Sequence, residues 1–499
     1  MTATAESAPP EGVQFASIDG SRSSQRAGKA IFADAVRAVD ADLAGRIDRT
    51  KAWRKEYIDQ VREVVISGAT SAKNASRIAA DGLDSVQRHL TFVTGGNDVA
   101  LRDAMRSGDP DRFHTAIIEG TGQSARELAV PRDGELLRGD ALLRRLERWE
   151  ADGTIEPSAR EALTLVVRNP EWLDLHDLHF ATLGTVSEMG PFEALCGWGA
   201  NVIAFDLPRR HLWERIVATA RAGSGRVHAV ATRPVTSDNV VDGAGVDLMT
   251  DTPDVRAWLA AFEHPFTLGN YVYADGTNFV RLAVSVDAMI AELVASRPDV
   301  SLAYLATPTD VFAVPEDAVS GARTNTKRSL PATVLRTLSA SNLYRPNFQD
   351  VVEEEETGRI WGISDCLVPI QGANYALAKS LQRWRSTVAR EEGTLSSANV
   401  APATRTKSVV KNRMLAAAYR GARGFGVDIF APETSSVLMA ALLVHDLRNP
   451  DAPANPSTPI DHPFEVFAQG AVHGGIWRLP HEPRSVLPLA LLIGLAKKR

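Results

Sequence analysis

The chain is poor in cysteine, in long apolar runs and in excess positive charge, and each shortage excludes a class of protein. Cys196 and Cys366 are the only cysteines among 499 residues, too few for a disulfide framework or a cysteine-based zinc site. The most apolar tract, 486–496, contains Pro488 and is shorter than the ~20 residues that a membrane-spanning helix needs. The net charge of -6 gives no basis for a nucleic-acid partner, which favours a basic surface.

The sequence also lacks the motifs of several enzyme classes. No His-x-x-x-His pair indicates a metal site, and we predict none. The nucleophile motif Gly-x-Ser-x-Gly and the P-loop are absent, although His473-Gly474-Gly475 is similar to an esterase oxyanion turn. The first residues have neither the basic start nor the apolar stretch of a secretory signal, so we expect a cytoplasmic protein.

Hydrophobic patterning divides the chain into regions. Residues 1–28, rich in small and polar residues, predict a flexible tail. Residues 29–170 carry apolar positions at three- and four-residue steps, which indicate a mostly helical N-terminal region. From 171 to 485 short apolar runs alternate with amphipathic helical stretches, with an interruption at 311–365. Residues 486–499 form an apolar tail with a basic end.

The alternating part predicts an α/β fold. Strands are predicted at His179–Leu183, Asn201–Asp206, Val246–Met249, Phe266–Ala274, Ser301–Ala306, Arg359–Ile363, Ser396–Val400 and Phe464–Phe467. The main helices that follow are predicted at Phe279–Ser296, Tyr375–Glu391, Lys407–Arg423 and Pro432–Leu447. Alternation of this kind favours a Rossmann-like, doubly wound parallel sheet. We expect the N-terminal helical region in front of it and an insertion before the helix at Tyr375.

The first predicted strand runs into a turn bounded by Gly184 and Gly190. Glycine suits a sharp bend that lies close to a pyrophosphate, and the start of the next helix offers free N–H groups. We therefore expect this turn to bind a nucleotide through Gly184, Thr185, Ser187, Glu188, Met189 and Gly190. Glu188 is the least suited of them, because a carboxylate near phosphate is unfavourable.

Asp206 ends the second predicted strand. A carboxylate there can accept hydrogen bonds from both adenine-ribose hydroxyls and would repel a 2′-phosphate, which favours NAD. Arg209 and Arg210 lie close by in the sequence and leave NADP open.

Tyr375 and Lys379 lie four residues apart in a predicted helix and so share one face. A phenol is a poor acid or base at neutral pH, because its pKa is ~10. A neighbouring ammonium stabilises the phenolate, so the pair could move a proton to a carbonyl or from an alcohol. Further along, Pro402, Thr404 and Thr406 follow a predicted strand and could hold a nicotinamide carboxamide at the sheet's carboxyl edge.

In their order along the chain these features resemble the short-chain dehydrogenase/reductase family, over about 305 of the 499 residues (roughly 175–480). The matching stretches are Gly184 to Gly190, Asp206, Asp247-Leu248, Tyr375 to Lys379, Asn399 to Thr406, Pro432-Glu433 and Gly474-Gly475. The resemblance implies that Asp247 and Leu248 lie beside the adenine. It also implies an NAD(P)-dependent reaction with Tyr375 as proton donor or acceptor and Lys379 on the ribose.

The chain departs from the family at two places. Where the family has Asn-Asn-Ala-Gly, the nearest stretch is 271–276, in which Ala274 takes the cofactor-binding position. The family's serine near the tyrosine has three candidate counterparts. Thr307 and Thr309 follow a predicted strand and are preferred, whereas Ser364 lies eleven residues before Tyr375.

The segment 311–365 is expected to be a lid or substrate-specificity element, because it separates the catalytic strand from the catalytic helix. It contains a basic stretch, Lys327 to Ser339, and an acidic run, 353–356. Tyr344 and Arg345 could contact a bulky or acidic substrate, whereas Phe348 is expected to pack the insertion onto the core.

The sequence therefore predicts an oxidoreductase that uses NAD, or else NADP. Its expected substrate is a small-molecule carbonyl compound or alcohol, and bulky molecules of this class are included. One alternative is a catalytically inactive relative whose nucleotide site serves regulation or assembly. The other is an epimerase, dehydratase or related lyase that uses bound NAD. We expect a homo-oligomer without a nucleic-acid partner, and the apolar C-terminal tail is expected to pack between subunits rather than against a membrane surface.

Overall fold

The computed structural model of the protein describes residues 10–328, 345–349 and 351–496. Its strands are β1 (Gly12–Phe15), β2 (Leu90–Thr94), β3 (Asn97–Ala100), β4 (His114–Glu119), β5 (Val130–Arg132), β6 (Glu135–Leu137), β7 (His179–Leu183), β8 (Asn201–Phe205), β9 (Arg226–Ala231), β10 (Thr267–Asn270), β11 (Ser301–Ala306), β12 (Val311–Pro315), β13 (Val351–Glu353), β14 (Ile360–Asp365) and β15 (Ser396–Val400). Its helices are α1 (Ser24–Arg37), α2 (Ala41–Arg49), α3 (Trp53–Ala69), α4 (Ala72–His89), α5 (Leu101–Arg106), α6 (Gly139–Ala151), α7 (Pro157–Arg168), α8 (Phe192–Gly197), α9 (Arg210–Ala222), α10 (Val240–Gly243), α11 (Thr252–Ala260), α12 (Thr277–Ser296), α13 (Glu316–Arg328), α14 (Ala373–Glu391), α15 (Lys407–Lys411), α16 (Arg413–Ala422), α17 (Pro432–Arg448), α18 (Glu465–Ala468) and α19 (Pro483–Ala496). Short 3-10 helices lie at Pro110–Arg112, Pro170–Leu173, Arg423–Phe425 and Ile476–Arg478.

Seven strands form the central sheet, in the order β15-β11-β10-β7-β8-β9-β4. Neighbouring strands are parallel, except that β4 runs antiparallel to β9. The predicted α/β fold with a mostly parallel sheet is therefore confirmed.

Hydrophobic side chains cover both faces of this sheet. On β7, Phe180 packs in one buried cluster, whereas Ala181 and Leu183 pack in the other. On β8, Val202 and Ile203 likewise lie in opposite clusters. Because successive side chains of a strand point to opposite faces, strands buried on both sides need the near-continuous apolar runs seen in the sequence.

The N-terminal part of the chain is more mixed than the predicted helical region. Within residues 1–28, β1 is a buried strand that pairs with β2, and residues 1–9 lie outside the described part. Gly95 and Gly96, which break the helical pattern, form the turn of the β2–β3 hairpin with φ of 56° and 79°. Strand β4, at the edge of the central sheet, also comes from this part of the chain.

Two predicted strands are wrong. Val246–Met249 follows an isolated bridge between Ala231 and Gly245 and is not a strand, and the sheet uses β9 instead. Phe464–Phe467 is also not a strand. Its place is taken by α18, whose Glu465 side chain accepts hydrogen bonds from the N–H groups of Asp461 and His462. The turn at Gly474-Gly475 therefore does not follow a last strand.

The two ends of the insertion lie side by side. Strands β12, β14 and β13 form an antiparallel sheet in which Val311 pairs with Asp365, and the Cys366 N–H donates to the Asp310 carbonyl at 3.0 Å. Most of the predicted basic stretch, together with Tyr344, lies outside the described residues. Phe348 is buried in the large hydrophobic cluster and packs beside Gly362 of β14, which is itself part of the insertion.

Helix α14, which carries Tyr375, is held from two sides. On the N-terminal side, the Trp384 ring lies edge-on to Phe32, 5.8 Å away, and fills the space left by Gly82. On the other side, Arg385 forms a buried ion pair of 2.7 Å with Asp287 of α12. These contacts fix the helix that positions the predicted proton-transfer pair.

Two helices beyond β15 depart from the predicted pattern. The helix predicted at Lys407–Arg423 is broken at Asn412, whose side chain caps α16. Residues 486–496 of the apolar tail belong to helix α19, which packs against α16 and leaves Leu492, Ile493 and Leu495 exposed. Within the described residues, every helix is too short or too polar to span a bilayer.

Candidate active site

The glycine turn lies where β7 and β10 end side by side. Gly184 has φ of 73°, and a Cβ there would stand 3.2 Å from the Tyr271 carbonyl oxygen. Tyr271 in turn donates its N–H to the Leu183 carbonyl at 3.0 Å. A left-handed conformation next to a neighbouring backbone favours glycine at this position.

The other turn residues have different surroundings. Ser187, Glu188 and Met189 line the cavity above the turn. The Thr185 hydroxyl is buried, where it bonds to Thr182 and to the Phe205 carbonyl at 3.2 Å. Thr185 and Gly190, which the sequence also predicted for this site, do not line the cavity.

The Glu188 side chain bonds to a residue outside its own turn. Its Oε2 accepts the backbone N–H of Lys407 at 2.6 Å, at the first residue of α15. A carboxylate at a helix start is favourable, which gives this side chain a structural role that the sequence did not reveal.

Asp206 bonds to the backbone of the glycine turn. Its Oδ2 accepts the Val186 N–H at 3.1 Å and its Oδ1 accepts the Leu207 N–H at 2.9 Å. Burial raises the pKa of Asp206, and these two N–H groups act in the opposite direction. Its side chain also lines the cavity, together with His211 and Arg215.

The predicted adenine contacts are not brought to the cavity. The Asp247 carboxylate accepts the Met249 N–H at 2.9 Å, Leu248 is buried, and neither residue lines the cavity. Ala274, Pro402, Thr404 and Thr406 do line it. The Thr404 hydroxyl is already shared between the Pro402 carbonyl and Ser435.

Tyr375 meets the two preferred hydroxyls. Its phenol oxygen lies 2.7 Å from Thr307 Oγ1 and 3.4 Å from Thr309 Oγ1. Gln371 donates to Thr309 at 3.1 Å and completes the group. Ser364 is buried in β14, 3.6 Å from the Cys366 sulfur, and does not line the cavity.

The surroundings of Tyr375 in the protein favour its protonated phenol over the phenolate. Burial raises the pKa of Tyr375 above its usual value, the hydroxyls of Thr307 and Thr309 oppose that effect, and Asp310 adds to it. Asp310 is buried and forms an ion pair of 2.7 Å with Arg383.

Lys379 shares the predicted helix face with Tyr375. The Tyr375 ring and the Lys379 ammonium each lie 6.0 Å from the centre of the Phe279 ring. The ammonium donates to the Leu305 carbonyl and to Gln382 at 3.1 Å. Burial lowers the pKa of Lys379 to about 8, against the opposing effect of Asp310.

Several cavity residues were missed by the sequence reasoning. His211 and Arg215 on α9, and Lys407 and Lys411 on α15, place cationic or ionisable groups near the glycine turn. Each pair has a four-residue spacing that puts both members on one helix face. That spacing was a visible signal, but only the fold brings the two helices to one cavity.

Gly184, Asp206, Thr307, Tyr375 and Lys379 line one cavity of about 1360 Å³. The described residues of 311–365 do not line it, so the predicted lid is not seen in that part of the chain. The wall is made instead by α16 and α19. Among the described residues, no cluster of His, Cys, Asp or Glu side chains is arranged to hold a metal ion.

Comparison with known proteins adds no relative: no family model, no curated protein and no solved structure matches the chain.

Proposed function

We propose that this chain is an NAD(P)-dependent oxidoreductase that interconverts a carbonyl and an alcohol. The observation that carries the proposal is the 2.7 Å contact between the Tyr375 and Thr307 hydroxyls inside the cavity that begins at the Gly184 turn. It combines a proton donor, a hydroxyl partner and a candidate nucleotide site in one space.

The strand order supports a Rossmann-like assignment. Read in chain order from β7, the six parallel strands have the arrangement 3-2-1-4-5-6 of dinucleotide-binding folds. The order reverses between β7 and β10, and ligands of such sheets bind at the carboxyl ends of the strands beside that point. Gly184 and Tyr271 lie there.

The donors at this end of the cavity fit a phosphate-bearing cofactor. Arg215, Lys407 and Lys411 supply positive charge, while Ser187 and Thr406 supply hydroxyls. A bound nicotinamide cofactor would supply the hydride for the carbonyl carbon, or accept it from the alcohol. Asp206 lines the same end and favours NAD, because a 2′-phosphate would be repelled by a carboxylate.

The proposed roles in the reaction follow from the contacts. Tyr375, with its raised pKa, is protonated at neutral pH and ready to donate to a carbonyl oxygen. Thr307 orients the phenol through their shared hydrogen bond. Lys379 supplies the positive charge that stabilises a phenolate, and its proposed second role is to hold the ribose.

One pair of observations favours a second candidate, an inactive relative that binds a nucleotide for regulation or assembly. The Tyr375 pKa is raised rather than lowered, and the Glu188 carboxylate lines the proposed phosphate site, where it bonds to the Lys407 N–H. Either feature could reduce turnover without abolishing nucleotide binding.

Cofactor titration and one tyrosine substitution test the proposal. We expect NADH or NADPH fluorescence to change on binding, and Tyr375→Phe to lower kcat by about 100-fold to 10,000-fold with unchanged cofactor affinity. Tyr57→Phe is the matched control, because that phenol lies outside the cavity. Cofactor binding without turnover of any carbonyl would favour the inactive relative, and no cofactor binding would overturn both candidates.

The pH dependence provides a further check. Since the Lys379 pKa is about 8, its ammonium is lost as the pH rises through that value. The stabilisation of the phenolate is lost with it, so kcat should fall. In Lys379→Arg the charge persists to higher pH, and the falling limb should move upward. A rate that stays flat in both proteins would contradict the role given to Lys379.

A further inference from the structure

The cavity is larger than one small ligand requires. Pockets for such ligands measure about 300–1,000 Å³, whereas this one measures about 1360 Å³. Besides the residues around the glycine turn and Tyr375, its lining includes residues of 415–429 and 476–490.

The lining residues from 415–429 and 476–490 form what we call the apolar lobe. Most of them are aliphatic or aromatic, as in Leu415, Tyr419, Ala422, Phe425, Val486 and Leu487. Among the described residues of the lobe, the ionisable nitrogen groups are His481 and Arg484. Burial lowers the pKa of His481 to about 4, so the ring is neutral at physiological pH. Arg484 lies near three carboxyl groups, at 2.5 Å from Asp365, 3.6 Å from Asp59 and 3.7 Å from Glu482, which together counter its charge.

The lobe begins beside the proposed proton donor. Tyr375, Cys366 and Tyr419 line the same cavity, and burial raises the pKa of Tyr419, so its phenol is neutral at physiological pH. A ligand whose carbonyl reaches Tyr375 could therefore extend into the lobe without leaving the cavity.

We infer that the substrate is an aldehyde, ketone or alcohol on an extended apolar chain, and that the chain lies in the apolar lobe. This inference rests on the proposed function, because it names the substrate class of the same site. Burial of apolar carbon is favourable at about 0.8 kcal/mol for each methylene, which corresponds to about a fourfold change in affinity. Short carbonyl compounds would leave the lobe unfilled and bind weakly.

A homologous series of aldehydes, from butanal to dodecanal, tests the inference on the full chain. We expect KM to fall by about fourfold for each added methylene until the lobe is filled. Ala422→Trp, which fills the lobe, should raise KM for dodecanal at least tenfold and leave that for butanal within about twofold. Ala416→Trp is the matched control, because Ala416 is on the same helix but does not line the cavity.

A binding measurement without turnover separates the two proposals. A dansyl-labelled undecanoic acid should bind the wild-type protein, be displaced by dodecanol but not butanol, and lose affinity in Ala422→Trp. If this occurs while no aldehyde is reduced, the lobe's ligand class stands and the proposed oxidoreductase function falls. If butanal and dodecanal have equal KM values, or the probe binds Ala422→Trp as well as the wild type, the inference is overturned.

Discussion

The two ends of the cavity are built differently. At the Gly184 end, short loops leave strands of the central sheet, and backbone hydrogen bonds such as Val186 to Asp206 fix their shape. At the other end, α16 and α19 lie outside the sheet and pack against each other. Gly421 lies against the Ala490 backbone and Gly494 against that of Ala417, so closely that an added Cβ would overlap the facing carbonyl oxygen.

This difference suggests that the two ends can be altered independently. The proposed cofactor site at the Gly184 end depends on the same strands that stabilise the fold, whereas the lobe depends mainly on the contact between two helices. Substitutions at each end, and at the point where the two ends meet, should therefore separate cofactor binding, catalysis and chain-length preference.

The largest expected effect is at the threonine hydroxyls beside Tyr375. Thr307→Val removes the hydroxyl 2.7 Å from the phenol, and kcat should fall about 100-fold with binding at both ends unchanged. Thr309→Val, which removes the partner at 3.4 Å, should lower kcat by less than about tenfold. Steady-state kinetics of the two variants measure this, and equal losses would show that neither threonine is the preferred partner.

The next effect is at the lobe. Gly421→Leu should separate α16 from α19, at a cost of about 1–3 kcal/mol in the free energy of unfolding. Affinity for long aldehydes should fall while NADH affinity stays the same. Gly424→Leu is the control, because nothing lies within 4 Å of a Cβ at that glycine. Thermal unfolding and the two titrations measure the result, and a parallel loss of NADH binding would mean that the two ends are not independent.

A smaller effect is expected at the cofactor end. Gly184→Ala places a Cβ at φ of 73°, which should destabilise the fold by about 1 kcal/mol. It should weaken NADH binding and leave chain-length preference unchanged. Gly197→Ala, in a helix with open space around the new Cβ, should be neutral or slightly stabilising. If Gly184→Ala binds NADH as tightly as the wild type, this turn does not hold the cofactor.

The smallest effect is expected from Glu188→Gln. The amide can still accept the Lys407 N–H, but the negative charge near the proposed phosphate site is removed. NADH affinity should rise by about twofold to fivefold, as expected for one exposed charge. Glu193→Gln, whose side chain is exposed and lies outside the cavity, should have no effect. A loss of NADH affinity in Glu188→Gln would show that the Glu188 contact itself supports cofactor binding.

The sequence predicted those parts of the molecule that depend on local pattern. Apolar runs such as His179–Leu183 predicted their strands because burial on both faces leaves no polar positions. Strand β9 was missed because Arg226 and His228 interrupt its apolar residues near the sheet edge. Phe464–Phe467 has strand-like residues, but the outer edge of β15 bonds instead to the backbone of Ala454 and Val472.

Within the site, the sequence supported the pairing of Tyr375 with Lys379 on one helix face and the preference for Thr307 and Thr309. The choice against Ser364 needed the structure, because it depends on which end of the insertion stands beside the phenol. The apolar lobe was not predicted, since α16 and α19 are far apart in sequence and meet only through tertiary packing.

Val311 pairs with Asp365, and the Cys366 N–H bonds to the Asp310 carbonyl. The two ends of the insertion 311–365 are therefore held side by side. Segments anchored at one point can change length at small entropic cost. The loops of residues 311–365 can thus change in length, or carry a tag, without moving the threonines just upstream, provided that buried side chains such as Phe348 and Trp361 are kept.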